Sequence, residues 1–254
     1  MRLFLTLIIS LLACFAIPAT AADTYYVQED FTAATGVLYQ GSVADATFTY
    51  HPEGGYYEVD NLKGETGVMA TLTDSFSAYE LSADLEFYQM NVDADAYAGL
   101  IYDYQESGDG KASFYLFAIF PDGYYCVWSV DKDSRRTYVQ NLTATPLVNR
   151  AGRNTLRVKA EANQFEVFLN GQLLSRFRDY AQDHGGVGVF TSGGTLTRFR
   201  AFRWMVDEAQ YARKMAVGGS FSFVKEQGLP AVFSDDFTSP AWLEGESGRA
   251  IFKY

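Results

Sequence analysis

The acidic side chains best spaced for acid–base chemistry lie in residues 79–90. Glu80, Asp84 and Glu86 fall on the same side of an alternating pattern in this segment, and alternate residues of a β-strand point to one face. Two carboxyl groups on one face could supply the acid and the nucleophile or base of glycoside cleavage. Such a row is also typical of the solvated face of a strand, and we favour that interpretation.

A second group of oxygen ligands lies in the loop that follows, Asn91-Val-Asp-Ala-Asp95. Asp93 and Asp95 offer alternating oxygen atoms of the kind that Ca²⁺ prefers, although the glycine and the bidentate glutamate of a helix-loop-helix calcium site are missing. We favour a polar turn without a metal, and thus no cofactor. The alternative is a Ca²⁺ site with Asp93 and Asp95 as its ligands.

The histidines and serines give no catalytic pattern. His51 and His184 are the two histidines, lie far apart, and fit neither a metal-ligand nor a nucleophile spacing. His184 precedes two glycines, which favours a place in a turn. No serine stands in a nucleophile elbow and no glycine-rich phosphate loop follows a strand. No catalytic residue is therefore assigned.

The elements that would position these residues are β-strands. Residues 154–204 carry several alternating runs, and Asn170-Gly171 between two of them predicts a two-residue hairpin turn, since both residues tolerate positive φ. Further strands are predicted over 67–73, 79–90, 96–105, 113–120, 124–130 and 135–140. Strands spaced roughly 8 to 12 residues apart, with polar turns between them, predict an all-β, two-sheet antiparallel β-sandwich.

Several of these segments resemble a known family. The motifs Asn154-Thr-Leu-Arg-Val, Phe168-Leu-Asn-Gly171 and Gly185-Gly-Val-Gly-Val-Phe190 resemble the closing meander of laminin-G-like and concanavalin-like jelly-roll modules, particularly bacterial 3-keto-disaccharide hydrolase-type domains. The resemblance covers residues 30–204 and implies a jelly-roll fold, while strand and turn motifs say little about chemistry. Concanavalin-like glycosidases of the laminarinase type carry Glu-x-Asp-x-x-Glu on one strand, and this chain has no such motif.

Binding by a sheet face or a loop rim is the function that remains. Sugars stack their apolar C–H faces on aromatic rings while their hydroxyls bond to carboxylates and amides. The candidate ligand-binding residues on the predicted central strands are Tyr88, Tyr97, Asp103, Tyr125 and Trp128. The alternative for each aromatic residue is the core, because aromatic residues make up 16% of the chain. Trp128, in register with Cys126, is expected to be buried.

The N-terminal residues predict export. A short basic start precedes an apolar run at 3–12, which is shorter than the roughly 20 residues that span a bilayer. Small residues at 19–21 predict cleavage of a signal peptide, residues 1–21. The alternative is lipidation of Cys14, which would give a membrane-anchored lipoprotein. We favour ordinary cleavage, and hence a bacterial-type periplasmic or secreted protein with no transmembrane segment.

The net charge excludes some classes of binding partner, and the cysteine content bears on disulfide formation. The formal net charge of −11 argues against nucleic acid and anionic membranes, whose phosphates would repel the protein. Ordinary cleavage would leave Cys126 as the one cysteine, so no intrachain disulfide would form. Cys126 alternates with Trp128 and is interpreted as a buried thiol of the core.

The chain after the sandwich holds a partial repeat. The sandwich module is predicted over 22–205, followed by a linker at 206–234 with a short helix at 207–215. Residues 235–254 align with 29–50, so the C-terminus repeats the start of the module. Two strands cannot bury their own face. They would pack on the sandwich, pair with another copy, or belong to a truncated tandem array; chance similarity is the alternative.

Three functions follow from these observations. We favour an exported, non-catalytic recognition module that binds carbohydrate or a surface protein. The second is a sugar-processing hydrolase of the 3-keto-disaccharide type, which clustered carboxyl groups with a perturbed pKa in a pocket would favour. The third is an assembly subunit that self-associates through its C-terminal strands.

Overall fold

The structure is a computed structural model, and it describes residues 23–92 and 95–216, together with the backbone of four short strands within 222–251. The predicted signal peptide, Cys14 and Asp93 lie outside the described residues, as does most of the partial repeat. Within the described residues, no helix is long and apolar enough to cross a membrane.

Strands β1 to β15 build two antiparallel sheets. They are Asp23–Glu29 (β1), Gly41–Val43 (β2), Ala46–His51 (β3), Tyr56–Asn61 (β4), Val68–Phe76 (β5), Ala78–Met90 (β6), Ala98–Glu106 (β7), Ala112–Phe120 (β8), Tyr124–Val130 (β9), Arg136–Ala144 (β10), Asn154–Glu161 (β11), Gln164–Leu169 (β12), Gln172–Arg178 (β13), Gly185–Thr191 (β14) and Thr195–Asp207 (β15), with a 3-10 turn at Pro52–Gly54. The large sheet has nine strands in the order β13-β12-β11-β6-β15-β4-β3-β2, with β1 paired to β15. The small sheet has six, in the order β10-β9-β8-β7-β14-β5. The predicted all-β, two-sheet antiparallel sandwich is confirmed.

The main core lies between the two sheets and is filled by alternate residues of the strands. The buried side chains along β6 are Tyr79, Leu81, Ala83 and Leu85, as the two-residue period requires. Trp204 of β15 is fully buried and meets Tyr26 and Phe76 edge-on, with ring centroids 5.2 Å apart in each pair. The predicted dry face of residues 79–90 is therefore the face that packs against the small sheet.

The β12–β13 hairpin forms at the predicted Asn170-Gly171 turn. Asn170 has a φ of 50° and Gly171 a φ of 80°, the pair of positive values that matches strand twist. The Asn170 side chain also accepts a 2.8 Å hydrogen bond from the Thr155 backbone N–H and donates one of 2.7 Å to the Leu147 carbonyl. One residue thus shapes its own turn and joins it to two neighbouring segments.

A bulge in β7 turns Asp103 into the interior. The pairing of β7 with β8 shifts between Tyr102 and Gln105, and Asp103 has a φ of 49°. Simple alternation would put Tyr102 and Tyr104 on the same face. The extra residue of a bulge reverses this, so Tyr102 lies in the main core and Tyr104 on the outer face of the small sheet.

The chain leaves the sandwich through helix α1, Glu208–Ala216, one residue later than the helix predicted at 207–215. Gln210 donates a 2.8 Å hydrogen bond to the Ala78 carbonyl, which ties α1 to β6. The remaining described strands pair as two short hairpins, Ser222–Val224 (β16) with Val232–Ser234 (β17) and Glu246–Ser247 (β18) with Ala250–Ile251 (β19). The domain boundaries and the partial repeat stay predictions.

Candidate functional site

A second buried cluster lies on the outer face of the small sheet, away from the large sheet. We call it the outer-face cluster, and its members are Tyr97, Ile101, Tyr104, Phe114, Leu116, Ala118, Cys126, Trp128, Val130 and Phe190. The outer face of an antiparallel sandwich is commonly polar. The members of this cluster are at most 8% exposed, so they form a second apolar layer beneath that surface.

Two glycines leave the middle of this face without side chains. A Cβ at Gly99 of β7 would lie 1.9 Å from the Phe117 carbonyl oxygen, and one at Gly188 of β14 would lie 2.3 Å from the Ala70 carbonyl oxygen. Both distances are far below van der Waals contact, so neither position accepts a side chain. The aromatic rings nearby therefore have room to lie across the sheet.

Four aromatic rings form a continuous row on this face. Tyr97 stacks on Phe190 with ring centroids 5.5 Å apart and 12° between the planes, and it meets Trp128 at 5.2 Å. Trp128 in turn contacts Tyr138 of the edge strand β10 at 5.7 Å. We call these four residues the aromatic row. Tyr138 is 51% exposed whereas Trp128 is 6% exposed, so the row runs from a buried end to an exposed one.

Arg136 covers the middle of the aromatic row. Its Nη1 donates a 2.7 Å hydrogen bond to the Tyr97 hydroxyl. Its guanidinium carbon lies 5.3 Å from the Trp128 ring centre and 5.7 Å from that of Tyr97, within cation–π range. Burial raises the pKa of the Tyr97 hydroxyl, and the Arg136 charge partly opposes this rise. Tyr97 is therefore neutral at physiological pH.

Ser192 fixes the backbone of Tyr97. The Tyr97 N–H donates to Ser192 Oγ and the Ser192 N–H donates to the Tyr97 carbonyl, each over 2.9 Å. Ser192 is buried, and its hydroxyl lies 3.1 Å from Thr195 Oγ1. The Tyr97 ring is thus held at both ends, by Ser192 through the backbone and by Arg136 through the hydroxyl.

Two rings of the aromatic row, Tyr97 and Phe190, line an open groove of about 1230 Å³ together with Arg136, whereas Trp128 and Tyr138 continue the row outside this lining. Pockets for single small ligands measure about 300–1,000 Å³, so this volume suits a segment of a longer chain. The charged residues of the lining are Glu65, Asp95, Glu106, Lys111, Lys132 and Arg136.

Of the predicted ligand-binding residues, the structure brings Tyr97 and Trp128 into contact. Trp128 is buried as expected, but on the outer face of the small sheet. Tyr88 lies on the large sheet, where the guanidinium carbon of Arg198 packs 3.3 Å from its ring centre. Tyr88 is exposed, but it does not line the groove.

Tyr125 and Cys126 are consecutive residues of β9 and lie on opposite faces of the small sheet. Tyr125 is buried in the main core, and its hydroxyl donates a 3.4 Å hydrogen bond to the Leu174 carbonyl. Cys126, the next residue, is buried as expected, and it lies in the outer-face cluster. Burial raises the pKa of its thiol to about 12, which makes it unreactive while the protein is folded.

Asp103 joins the two sheets. It is fully buried, and its Oδ1 accepts a 2.5 Å hydrogen bond from the Tyr79 hydroxyl. Its backbone N–H in turn donates a 3.1 Å hydrogen bond to the Tyr79 hydroxyl oxygen. Burial raises the pKa of this carboxyl to about 7. Asp103 therefore lies inside the sandwich and does not reach the groove.

Two of the three carboxylates in the row on β6 are paired with arginines. Glu80 lies 3.0 Å from Arg157 and Asp84 lies 3.7 Å from Arg153, in keeping with the solvated-face interpretation. Within residues 23–92 and 95–216, no three His, Cys, Asp or Glu side chains gather as a metal site. Asp95 is exposed on the groove lining, and Ca²⁺ binding with Asp93 stays a prediction.

Comparison with known proteins places the fold. Neither known protein families nor curated proteins give a match. Among solved structures, the chain is similar to the carbohydrate-binding module CBM66 from Bacillus subtilis, with 14% identity, a TM-score of 0.53, and coverage of 65% of this chain and 94% of that one. The fold is a jelly-roll sandwich. A Bacillus subtilis protein of unknown function with a galectin-like fold gives 8% identity, a TM-score of 0.58, and coverage of 74% and 99%.

These likenesses show the fold alone, and they confirm the concanavalin-like part of the predicted resemblance. Sequence reasoning missed Arg136 and Tyr138 as site residues, and it used Phe190 only as a fold motif. Tyr138 lies opposite Trp128 across β9 and β10, and Phe190 lies opposite Gly99 across β14 and β7. The row exists only once these registers are known.

Proposed function

We propose that this protein is an exported recognition module that binds carbohydrate, without cleaving it, in the groove on the outer face of the small sheet. The aromatic row carries this proposal, with Tyr97 and Phe190 lining the groove and Trp128 and Tyr138 continuing the row beside it. Aromatic rings stack on the apolar faces of sugars, and polar groups at the rim would bond to the hydroxyls. The similarity in fold to a carbohydrate-binding module supports the same ligand class.

We propose binding without cleavage because the two carboxyl groups with a raised pKa lie away from the groove. Glycoside cleavage uses two carboxyl groups about 5–10 Å apart across the scissile bond. Burial raises the pKa of Glu29 and of Asp103, but neither lines the groove. Glu29 accepts a 2.8 Å hydrogen bond from the Phe31 N–H and Asp103 bonds to Tyr79. Both carboxyl groups thus hold the fold, and a 3-keto-disaccharide-type hydrolase is the alternative to be tested.

A glycan array tests the proposal, run with Ca²⁺ and with chelator. We expect specific glycan binding that Tyr97→Ala abolishes and that Tyr180→Ala retains, since Tyr180 is 75% exposed and does not line the groove. Loss of binding in chelator would support Asp93 and Asp95 as ligands of Ca²⁺. Release of sugar products would establish the hydrolase instead.

Silence on the array under both conditions would overturn carbohydrate binding. The favoured function would then be binding of a surface protein or self-association through the C-terminal strands. Self-association predicts a molecular size that grows with protein concentration. Export is tested separately by the N-terminus of the mature protein. A start at Ala22 supports ordinary cleavage, and a lipid on Cys14 supports the lipoprotein alternative.

A further inference from the structure

Arg136 has no acidic partner in the part of the chain that the structure describes. Its side-chain hydrogen bond goes to the neutral Tyr97 hydroxyl, and no described carboxylate oxygen lies within 4.0 Å of it. Arg157 and Arg198 on the large sheet, by contrast, bind carboxylates at 3.0 and 2.8 Å. In a protein with a net charge of −11, an unpaired guanidinium beside a groove is suited to an anionic ligand group.

The guanidinium of Arg136 is also held in place before a ligand arrives. One of its five N–H donors is used by Tyr97, and its carbon lies within 5.3 Å of the Trp128 ring centre. A stacked guanidinium with free donors matches the two oxygens of a carboxylate, and its fixed position lowers the entropy lost on binding. A neutral glycan would leave these donors to water.

Two lysines extend the positive charge along the groove. Lys132 follows β9, and Arg136 pairs with Val130 two residues before it. Lys111 also lines the groove and is held by Asp133 at 3.1 Å. Glu65, Asp95 and Glu106 lie on the same lining, and the Glu106 carboxylate accepts a 3.2 Å hydrogen bond from Tyr104. Arg136 and Lys132 have no described carboxylate oxygen within 4.0 Å, so they are the two cations of the lining that are left for an anionic ligand.

We propose that the groove binds a uronate-containing glycan, with a sugar carboxylate on Arg136 and the sugar rings along the aromatic row. This inference rests on the proposed carbohydrate-binding function and adds the charge of the ligand. The combination of stacked rings and a stacked, unpaired arginine carries it, because the rings recognise any pyranose and only the arginine distinguishes an acid from its neutral counterpart.

Isothermal titration calorimetry tests the charge of the ligand with pairs of matched probes. Oligomers of galacturonate, mannuronate and guluronate are each compared with the same oligomer after reduction of its carboxyl groups. We expect at least one oligouronate to bind tenfold or more tightly than its reduced form, with an affinity that falls as NaCl rises. Arg136→Gln should remove this preference. Arg178→Gln should keep it, since Arg178 is an exposed arginine of β13 that bonds to Gln164.

The outcomes separate the two proposals. Equal binding of acidic and reduced oligomers, or an unchanged preference in Arg136→Gln, overturns the uronate ligand and leaves carbohydrate binding standing. Binding to no glycan of any charge overturns both. Arg136→Lys is the control for a folding defect, because lysine keeps the positive charge but lacks the planar guanidinium. This variant should bind the oligouronate with intermediate affinity and have an unchanged melting temperature.

Discussion

Arg136 and Tyr97 are joined by a 2.7 Å hydrogen bond that connects the edge strand β10 to the residue before β7, with the Trp128 ring beneath the guanidinium. β10 is the outermost strand of the small sheet, and edge strands open more readily than central ones. The bond therefore holds an edge residue in register with the aromatic row. It also makes the geometry of the groove depend on two residues 39 positions apart in sequence.

Tyr138→Ala should weaken glycan binding without weakening the fold. Tyr138 is 51% exposed at the end of the aromatic row, so little core packing is lost. Removing one stacking ring should cost about 1 kcal/mol of binding free energy, or about fivefold in Kd. Calorimetry with the best array ligand measures this. An equal loss of affinity in Tyr180→Ala, which lies outside the aromatic row, would show that the effect is not local.

Cys126 should react with thiol reagents only when the protein unfolds. Its side chain is fully buried in the outer-face cluster, and burial raises the pKa of its thiol to about 12. Alkylation by iodoacetamide should therefore be negligible in buffer and complete in guanidinium chloride. Tyr97→Ala should speed the reaction of the folded protein, because the Tyr97 ring belongs to the same cluster. Rapid labelling of the unaltered protein would contradict the buried position.

The buried strand face and the hairpin turn could be predicted because they depend on residues that are adjacent in sequence. The alternation from Tyr79 to Leu85 identified a buried face, since the period of a strand is fixed at two. Asn170-Gly171 identified its hairpin, since few residues accept two successive positive φ values. These signals need no knowledge of the partner strand. The sandwich therefore followed from the sequence.

The groove could not be predicted because both faces of the central strands are apolar. In β8 every residue from Ser113 to Ile119 is buried, so alternation cannot tell the inner face from the outer one. The same ambiguity left open which face of β9 carries the buried Cys126. The Asp103 bulge adds a second difficulty, because one extra residue exchanges the faces beyond it. Only strand pairing brings Arg136 over the aromatic row.

Gly171→Ala should destabilise the protein through the backbone alone. Gly171 has a φ of 80°, and an added Cβ there would meet no atom within 4 Å. The cost is therefore the strain of a left-handed alanine, about 1 kcal/mol in the free energy of unfolding. Urea unfolding measures it. Gly108→Ala is the matched control, because its site is equally open and has no positive φ; an equal loss at Gly108 would contradict the backbone explanation.

Asp103→Asn should stabilise the protein more at high pH than at low pH. Burial raises the pKa of the Asp103 carboxyl to about 7, whereas an unfolded aspartate titrates at about 3.9. The folded state therefore keeps its proton between these values, and the stability of the unaltered protein falls as pH rises from about 4 to about 7. Asparagine stays neutral and can still accept the hydrogen bond from Tyr79.

The stability difference between Asp103→Asn and the unaltered protein should thus grow by on the order of 2 kcal/mol between pH 5 and pH 8, measured by urea unfolding at both values. Tyr79→Phe provides the opposite test. The Tyr79 hydroxyl lowers the pKa of Asp103 by stabilising its carboxylate, so its removal should extend the fall of stability to higher pH and make the total fall larger. Parallel plots of the free energy of unfolding against pH for all three proteins would mean that the Asp103 carboxyl titrates alike in the folded and unfolded states, and its interior position would then be wrong.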